Sequence, residues 1–252
     1  MSNTGYFDLI SCVKPQAFQS LCDSDTPKDA PNKRVGHAVK RSLGYLDELR
    51  QKQQNGLTAV TGPVFGSVVG GFDLKSRLIS AKDLSERQVD GFVLEGFHDY
   101  DPENSKVLHP DAYVIMRQIM EHLPKEAPKA LFGCLKPETM FQLMKMGVDI
   151  FDSSYATMLT EKGQALLISI SDCPDSGISV QSDLLDLSRE EFKDDMTVIA
   201  SDCGCYSCTK LFTRAYINHL LATREMLSSV LLNLHNIYTV YKFFRNVRNH
   251  FS

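Results

Sequence analysis

Apolar residues recur at two spacings along the first 151 residues of the chain. Intervals of three and four residues over 35–49 predict an amphipathic helix. The same spacing predicts helices at 74–89, 111–123 and 138–146, and near-continuous apolar runs predict buried strands at 7–12, 63–69, 91–94, 130–133 and 148–151. Such alternation predicts βαβ units and a parallel sheet covered on both faces. It fits a closed barrel and a doubly wound sheet equally well.

The hydrophobic pattern changes after Asp152. Residues 165–170 predict one more strand, and the acidic, apolar-poor residues 172–202 predict an excursion from the sheet. Residues 212–234 are apolar on much of a helical circumference, and residues 238–251 predict a final amphipathic helix. The change predicts two parts, residues 1–171 and residues 172–252.

Composition is that of an ordinary soluble globular protein, with 43% apolar and 23% charged residues. The chain has no run of 18 apolar residues, and its first eight residues lack the basic and apolar regions of a signal peptide. Of the seven cysteines, four are scattered and are predicted to be reduced, namely Cys12, Cys22, Cys134 and Cys173. These features predict a cytosolic or nuclear protein.

The net charge of −4 is unevenly distributed. After Cys208 the chain has six basic residues and one acidic residue, a balance of +5, so the remainder carries −9. Such a basic segment is able to meet RNA phosphates or an acidic partner. The alternative, slightly favoured by charge count alone, is the solvated face of a helix.

Three cysteines lie within six residues, at Cys203, Cys205 and Cys208, and His235 follows on an apolar, helix-like run. Thiolates in a tight loop and an imidazole from a later helix can form the S₃N ligand set that structural Zn²⁺ sites use. A chance cluster and a disulfide framework are the weaker alternatives. A second histidine, His219, also follows the cysteines and competes with His235 as fourth ligand.

Several segments together resemble the tRNA-guanine transglycosylase (queuine tRNA-ribosyltransferase) family. The Cys-x-Cys-x₂-Cys motif with residues 213–216, His219-Leu220 and His235-Asn236 is similar to that family's C-terminal zinc motif. Residues 136–152, 65–71 and 23–27 resemble further family segments in the right order, so the likeness runs from about residue 6 to residue 250. The family spacing favours His235 over His219, and the implied metal is one structural Zn²⁺ per chain.

The resemblance implies a (β/α)₈ barrel, with residues 1–171 as a partial barrel and residues 172–252 as a zinc-binding insertion and closing helices. The family's catalytic subunit exchanges guanine in tRNA for queuine. This reaction requires a nucleophilic carboxylate, an acid/base carboxylate and groups that hold the base. The nucleophile position holds Asp152, but the residues after it lack the family's tRNA-gripping Pro-Thr-Arg continuation.

Other functional segments depart from the family pattern. Val69 stands where the family has a base-reading Gln, Phe97 is expected to crowd a base pocket, and the acid/base segment has no match. We therefore expect a barrel that lacks its first units and has no catalytic residues. The Asp152 carboxylate is expected to bond backbone at a strand end.

The chain thus resembles the eukaryotic accessory subunit of the family, which forms a heterodimer with the catalytic subunit and meets tRNA through the complex. The resemblance implies a cytoplasmic protein with possible peripheral association with the mitochondrial outer membrane. Two alternatives stay open, a divergent enzyme with Asp152 as nucleophile and an isolated zinc-dependent RNA-binding module. His98, Asp99 and Asp101 suggest a second metal or acid/base site, although a surface loop is the favoured interpretation.

Overall fold

The computed structural model describes residues 3–56, 62–97, 110–173 and 177–251. It divides into two compact units. The first consists of Met1–Phe132 and Leu143–Phe151, and the second of Gly133–Gln142 and Asp152–Ser252. Each unit is described separately.

A parallel sheet forms the centre of the first unit. Its strands β1 (Phe18–Gln19), β2 (Val64–Val68), β3 (Gly91–Leu94) and β4 (Lys129–Ala130) are neighbours in chain order, and Ile150 adds a parallel bridge to Ala130. The helices of the alternating pattern are α2 (Asn32–Gln54), α3 (Leu74–Ser85), α4 (Pro110–Met120) and α5 (Pro137–Lys145), and most of α5 belongs to the second unit. The predicted parallel α/β architecture is therefore confirmed.

The prediction of a strand at residues 7–12 is wrong, because this segment belongs to helix α1 (Asn3–Val13). Phe7 and Ile10, one helical turn apart, are buried, whereas Leu9 is 47% exposed and Val13 is 64% exposed. A short apolar run does not distinguish a strand from a helix, and here burial follows the helical period. The sheet begins later, at β1, in a segment that the apolar pattern did not single out.

Buried Arg77 caps the carboxyl end of β2. Its Nη1 donates to the Val68 carbonyl at 2.7 Å and its Nε donates to the Gly71 carbonyl at 2.8 Å, while the Phe97 ring lies 3.8 Å from the guanidinium. Burial lowers the pKa of Arg77 to about 9, although nearby Glu95 opposes the shift. Gly70 is required here, since a Cβ at this positive φ would lie 2.9 Å from the Arg77 backbone nitrogen.

The second unit contains α6 (Ser154–Glu161), which was not predicted, and an antiparallel hairpin. Strand β5 (Gln164–Cys173) confirms the strand predicted at 165–170, but its partner is β6 (Gly177–Asp186), from the acidic segment. The two strands form a separate two-stranded sheet. The apolar pattern did not predict β6, because most of this strand is not buried and Ile178 is its one fully buried residue.

The described residues of the second unit also form α7 (Tyr206–Thr209), α8 (Arg214–Ala222) and α9 (Met226–Phe251). The predicted helices at 212–234 and 238–251 have the wrong boundary, since the break lies at residues 223–225 and α9 is continuous through His235. Arg224 adopts a left-handed φ of 56°, and the Glu225 N–H donates to the Leu220 carbonyl at 2.8 Å. Local backbone geometry that hydrophobic spacing does not encode therefore ends α8.

Helices long and apolar enough to cross a membrane are absent from the part of the chain that the structure describes.

Candidate metal centre

Cys203, Cys205, Cys208 and His235 converge in the second unit. Cys205 caps the N-terminus of α7, where its Sγ accepts a hydrogen bond from the Cys208 N–H at 3.4 Å. The short helix therefore holds two thiols of the group on the same turn. Gly204, between the first two cysteines, leaves room for Tyr238, whose hydroxyl would lie 2.6 Å from an added Cβ.

The distances among the four side chains fit a tetrahedral metal site. His235 Nδ1 lies 3.6 Å from Cys203 Sγ, 3.5 Å from Cys205 Sγ and 3.6 Å from Cys208 Sγ. All four candidate ligand atoms lie within 4.8 Å of one another. Ordinary Zn–S and Zn–N bonds of about 2.3 and 2.0 Å in a tetrahedron require S···N separations of about 3.5 Å. The group is therefore compatible with a metal ion.

Contacts among the four side chains shift their pKa values. Hydrogen bonds to Cys203 and Cys208 lower the pKa of Cys205, whereas hydrogen bonds to Cys203 and Cys205, together with burial, raise the pKa of Cys208. Burial acts to lower the pKa of His235, but its hydrogen bonds to Cys203 and Cys205 outweigh burial and raise the value to about 9. Metal binding requires the three cysteines as thiolates and His235 as a neutral imidazole, so it would displace the protons that these groups hold.

The cluster lies inside a hydrophobic core. Cys205, Cys208 and His235 are almost fully buried, and Cys203 is partly exposed. Buried apolar residues surround the two inner cysteines, namely Ala165, Leu187, Ile199, Ile217, Leu220, Leu231 and Leu232. The Ser207 hydroxyl also donates to the Leu231 carbonyl at 2.7 Å and so attaches α7 to α9.

A second layer of contacts fixes the imidazole. His235 Nε2 lies 3.0 Å from the Leu166 carbonyl oxygen of β5, and the hydroxyl of Thr239 is more distant, at 3.5 Å. Asn236 accepts a hydrogen bond from the Leu166 N–H at 2.8 Å. A backbone carbonyl leaves no trace in sequence, so Leu166 could not be found there. The His-Asn pair was visible, but the role of Asn236 was not.

The structure does not bring the competing candidates into the cluster. His219 is exposed on α8, outside the metal-binding group. The segment containing His98, Asp99 and Asp101 lies outside the described residues.

Asp152 is engaged by backbone, as expected for a strand-end carboxylate. Its Oδ2 accepts a hydrogen bond from the Gly133 N–H and its Oδ1 accepts one from the Ser154 N–H, each at 3.1 Å. The Ser154 bond therefore stabilises the turn that leads into α6, and the Gly133 bond joins this turn to an earlier segment of the chain.

Ion pairs neutralise part of the basic C-terminal segment. Arg214 pairs with Asp195 at 3.0 Å, and Lys242 pairs with Asp202 at 3.3 Å. Both basic residues line a groove of about 650 Å³ beside the cysteines, between β5 and α9. The charge excess of this segment is therefore smaller at its surface than the sequence indicates.

Comparisons with known proteins agree with this arrangement. A family model described as queuine tRNA-ribosyltransferase matches residues 1–252. A protein of Ixodes scapularis, named queuine tRNA-ribosyltransferase accessory subunit 2, is 39% identical over 246 residues, which cover 95% of this chain and 62% of the relative. Proteins of the same name from Culex quinquefasciatus and Danio rerio are 32% and 31% identical, over 97% of this chain and 57% and 64% of their own lengths.

The chain spans about three fifths of the length of these curated relatives. The family match, however, extends along the whole of it and includes both the parallel sheet and the Cys₃His cluster. The chain therefore belongs to the queuine tRNA-ribosyltransferase family.

Proposed function

We propose that this chain is a non-catalytic accessory subunit that forms a heterodimer with a catalytic queuine tRNA-ribosyltransferase subunit. The complex exchanges guanine for queuine in tRNA, and this chain meets tRNA as part of the complex. The accessory-subunit name of the relatives supports the proposal. Two residues also support it. Val69 stands where the family has a base-reading Gln, and the Asp152 carboxylate accepts hydrogen bonds from backbone N–H groups.

The proposed cofactor is one structural Zn²⁺ bound by Cys203, Cys205, Cys208 and His235. The observation that carries this proposal is the convergence of three thiols and one imidazole nitrogen at tetrahedral separations. Four protein ligands leave no position for water or substrate, which is typical of a structural site. The metal would connect α7 to α9 and would stabilise that region of the fold.

The partner surface is proposed to lie on α7, α8 and α9. Tyr206, Phe212 and Tyr216 form a ladder of rings with centroids 6.1 and 5.8 Å apart, and Tyr206 is 54% exposed. Along α9, exposed apolar residues recur at intervals of three and four, namely Leu227, Val230, Leu234, Ile237 and Tyr241. An exposed apolar stripe of this kind, rich in aromatic residues, is typical of a protein interface.

The parallel sheet is proposed to be part of a (β/α)₈ barrel. Its strands lie side by side in chain order, β1 to β4, as they do in a barrel, whereas a doubly wound sheet reverses its order. The division at residues 171 and 172 into a barrel part and a zinc-bearing part also stays a prediction. Cytoplasmic location and peripheral association with the mitochondrial outer membrane belong to the proposal and rest on the resemblance alone.

Reconstitution with a catalytic subunit tests the function. The purified chain, the catalytic subunit and their mixture are compared for complex formation by size-exclusion chromatography and for base exchange with labelled guanine in tRNA. We expect a heterodimer, with base exchange by the mixture and none by this chain alone. Base exchange by this chain alone that Asp152→Asn abolishes would establish the Asp152-dependent enzyme. Salt-sensitive RNA binding without any complex would favour the isolated RNA-binding module.

A further inference from the structure

We propose that Asn236 is a positioning residue for the metal centre, acting through Leu166 on the imidazole of His235. The inference rests on the proposed metal site and is independent of the proposed partner. Its basis is a set of hydrogen bonds that joins α6, β5 and α9 next to the cysteine cluster.

Leu166 is held from α9 through both of its backbone polar groups. Its N–H donates to Asn236 Oδ1 at 2.8 Å, and its carbonyl oxygen lies 3.0 Å from His235 Nε2. His235 and Asn236, which are adjacent on α9, therefore bond the backbone polar groups at this edge of β5, which a neighbouring strand would otherwise bond. The imidazole position is consequently tied to the position of this strand edge.

This contact selects the histidine tautomer. A carbonyl oxygen is only an acceptor, so the Leu166 contact requires a proton on Nε2. In the neutral imidazole that binds metal, the Nδ1 lone pair then faces the three thiols. Metal-binding histidines commonly fix their ring in this way through the nitrogen that does not bind metal. Displacement of the Leu166 carbonyl would release both the tautomer and the ring orientation.

Asn236 is suited to hold that carbonyl because every polar group of its buried amide is used. Besides accepting from Leu166, it donates from Nδ2 to Thr160 Oγ1 at 3.0 Å and to the Gln164 carbonyl at 2.9 Å. The residue is fully buried. A carboxylate or an apolar group cannot reproduce this combination of one acceptor and two donors, so the asparagine fixes β5 against α6 and α9.

The test measures metal affinity in the full chain, with Co²⁺ as the probe. Asn236→Leu keeps the number and branching of the side-chain heavy atoms but removes the hydrogen bonds. We expect its Co²⁺ affinity, measured by competition with a chelator, to fall about 10- to 100-fold, the range found for second-layer ligands. The Co²⁺ absorption spectrum should change as the nitrogen ligand is lost, and the His235 Nε2–H should exchange faster with solvent in NMR spectra.

Asn218→Leu is the matched control. This amide donates to the Leu187 and Arg189 carbonyls at 2.8 and 2.9 Å in the same unit, and neither hydrogen bond involves His235 or Leu166. The control should lower the melting temperature while Co²⁺ affinity stays within about twofold of wild type, because its bonds support only local structure.

Thr160→Val decides the question if Asn236→Leu does not fold, since it removes one acceptor of Asn236 Nδ2 and keeps the heavy-atom shape of the side chain. We expect it to lower Co²⁺ affinity at least about threefold, as part of the second-layer effect. The inference is overturned if the Asn236 variant is less stable but keeps its Co²⁺ affinity and absorption spectrum. If only the Thr160 variant folds, the same result in that variant overturns it. A wild-type chain that binds no metal would instead refute the proposed zinc site itself.

Discussion

Cys205 has two roles in the candidate metal centre, as a candidate ligand and as the cap of α7. It is buried, caps α7 through its Sγ and lies 3.5 Å from His235 Nδ1. We expect Cys205→Ser to abolish stoichiometric zinc and to lower the free energy of unfolding of the second unit by roughly 4 kcal/mol or more, since loss of a metal ligand belongs to the most destabilising changes. Metal analysis and thermal denaturation measure the two effects.

Cys12→Ser is the control for this substitution, because Cys12 is an exposed free thiol on α1. It should leave zinc content unchanged and stability within about 0.5 kcal/mol, as surface substitutions usually do. Full zinc content in the Cys205 variant would show that the proposed ligand set is wrong.

Asp152 is expected to contribute to stability and not to chemistry. Asp152→Asn weakens two carboxylate–backbone hydrogen bonds and should cost roughly 1–3 kcal/mol, while base exchange by the complex persists. Asp149→Asn is the matched change, since Asp149 Oδ2 accepts from the Lys129 N–H at 2.9 Å. Denaturant unfolding and the base-exchange assay compare the two variants. If the Asp152 change alone abolishes exchange without loss of stability, Asp152 is the nucleophile.

Helix α9 has two sides that differ in burial. One side contains His235 and Asn236 and packs into the second unit, and the other carries the exposed apolar stripe. We expect Leu234→Asp to weaken the complex with the catalytic subunit at least tenfold, because it places a charge in the centre of an apolar contact. Analytical ultracentrifugation of the mixture measures the effect.

Asn233→Asp provides the charge control on the same helix. Asn233 is also exposed but lies off the stripe, so its change should leave the dissociation constant within about threefold of wild type. An equal loss in both variants would indicate a general charge effect, and no loss in either would place the interface elsewhere.

For the molecule as a whole, metal removal is expected to act locally. Chelation should increase hydrogen exchange in α7, α9 and β5, which the cluster and its hydrogen bonds connect, while β2 and β3 in the other unit keep their protection. Hydrogen-exchange mass spectrometry with and without a chelator measures this difference. Restored protection after Zn²⁺ addition is the control, and a uniform increase along the chain would contradict a local structural role.

The sequence by itself determined the parallel α/β core, because buried strands and amphipathic helices have distinct apolar periods. It also singled out the three cysteines, since this residue type at this spacing has few other uses, whereas the resemblance to the family favoured His235 over His219. The sequence did not distinguish helix α1 from a strand, and it did not reveal β6 or the break at Arg224. Those features depend on burial and local backbone geometry, which apolar spacing does not record.

Tertiary structure alone decided which groups meet. The Leu166 carbonyl reaches His235 across 69 positions of sequence, and Asn236 reaches back to Thr160 across 76. A backbone oxygen is common to every residue, so no residue type could have predicted its contact with the imidazole. Long-range packing of α9 against β5 placed it there, and the same packing left the opposite side of α9 exposed.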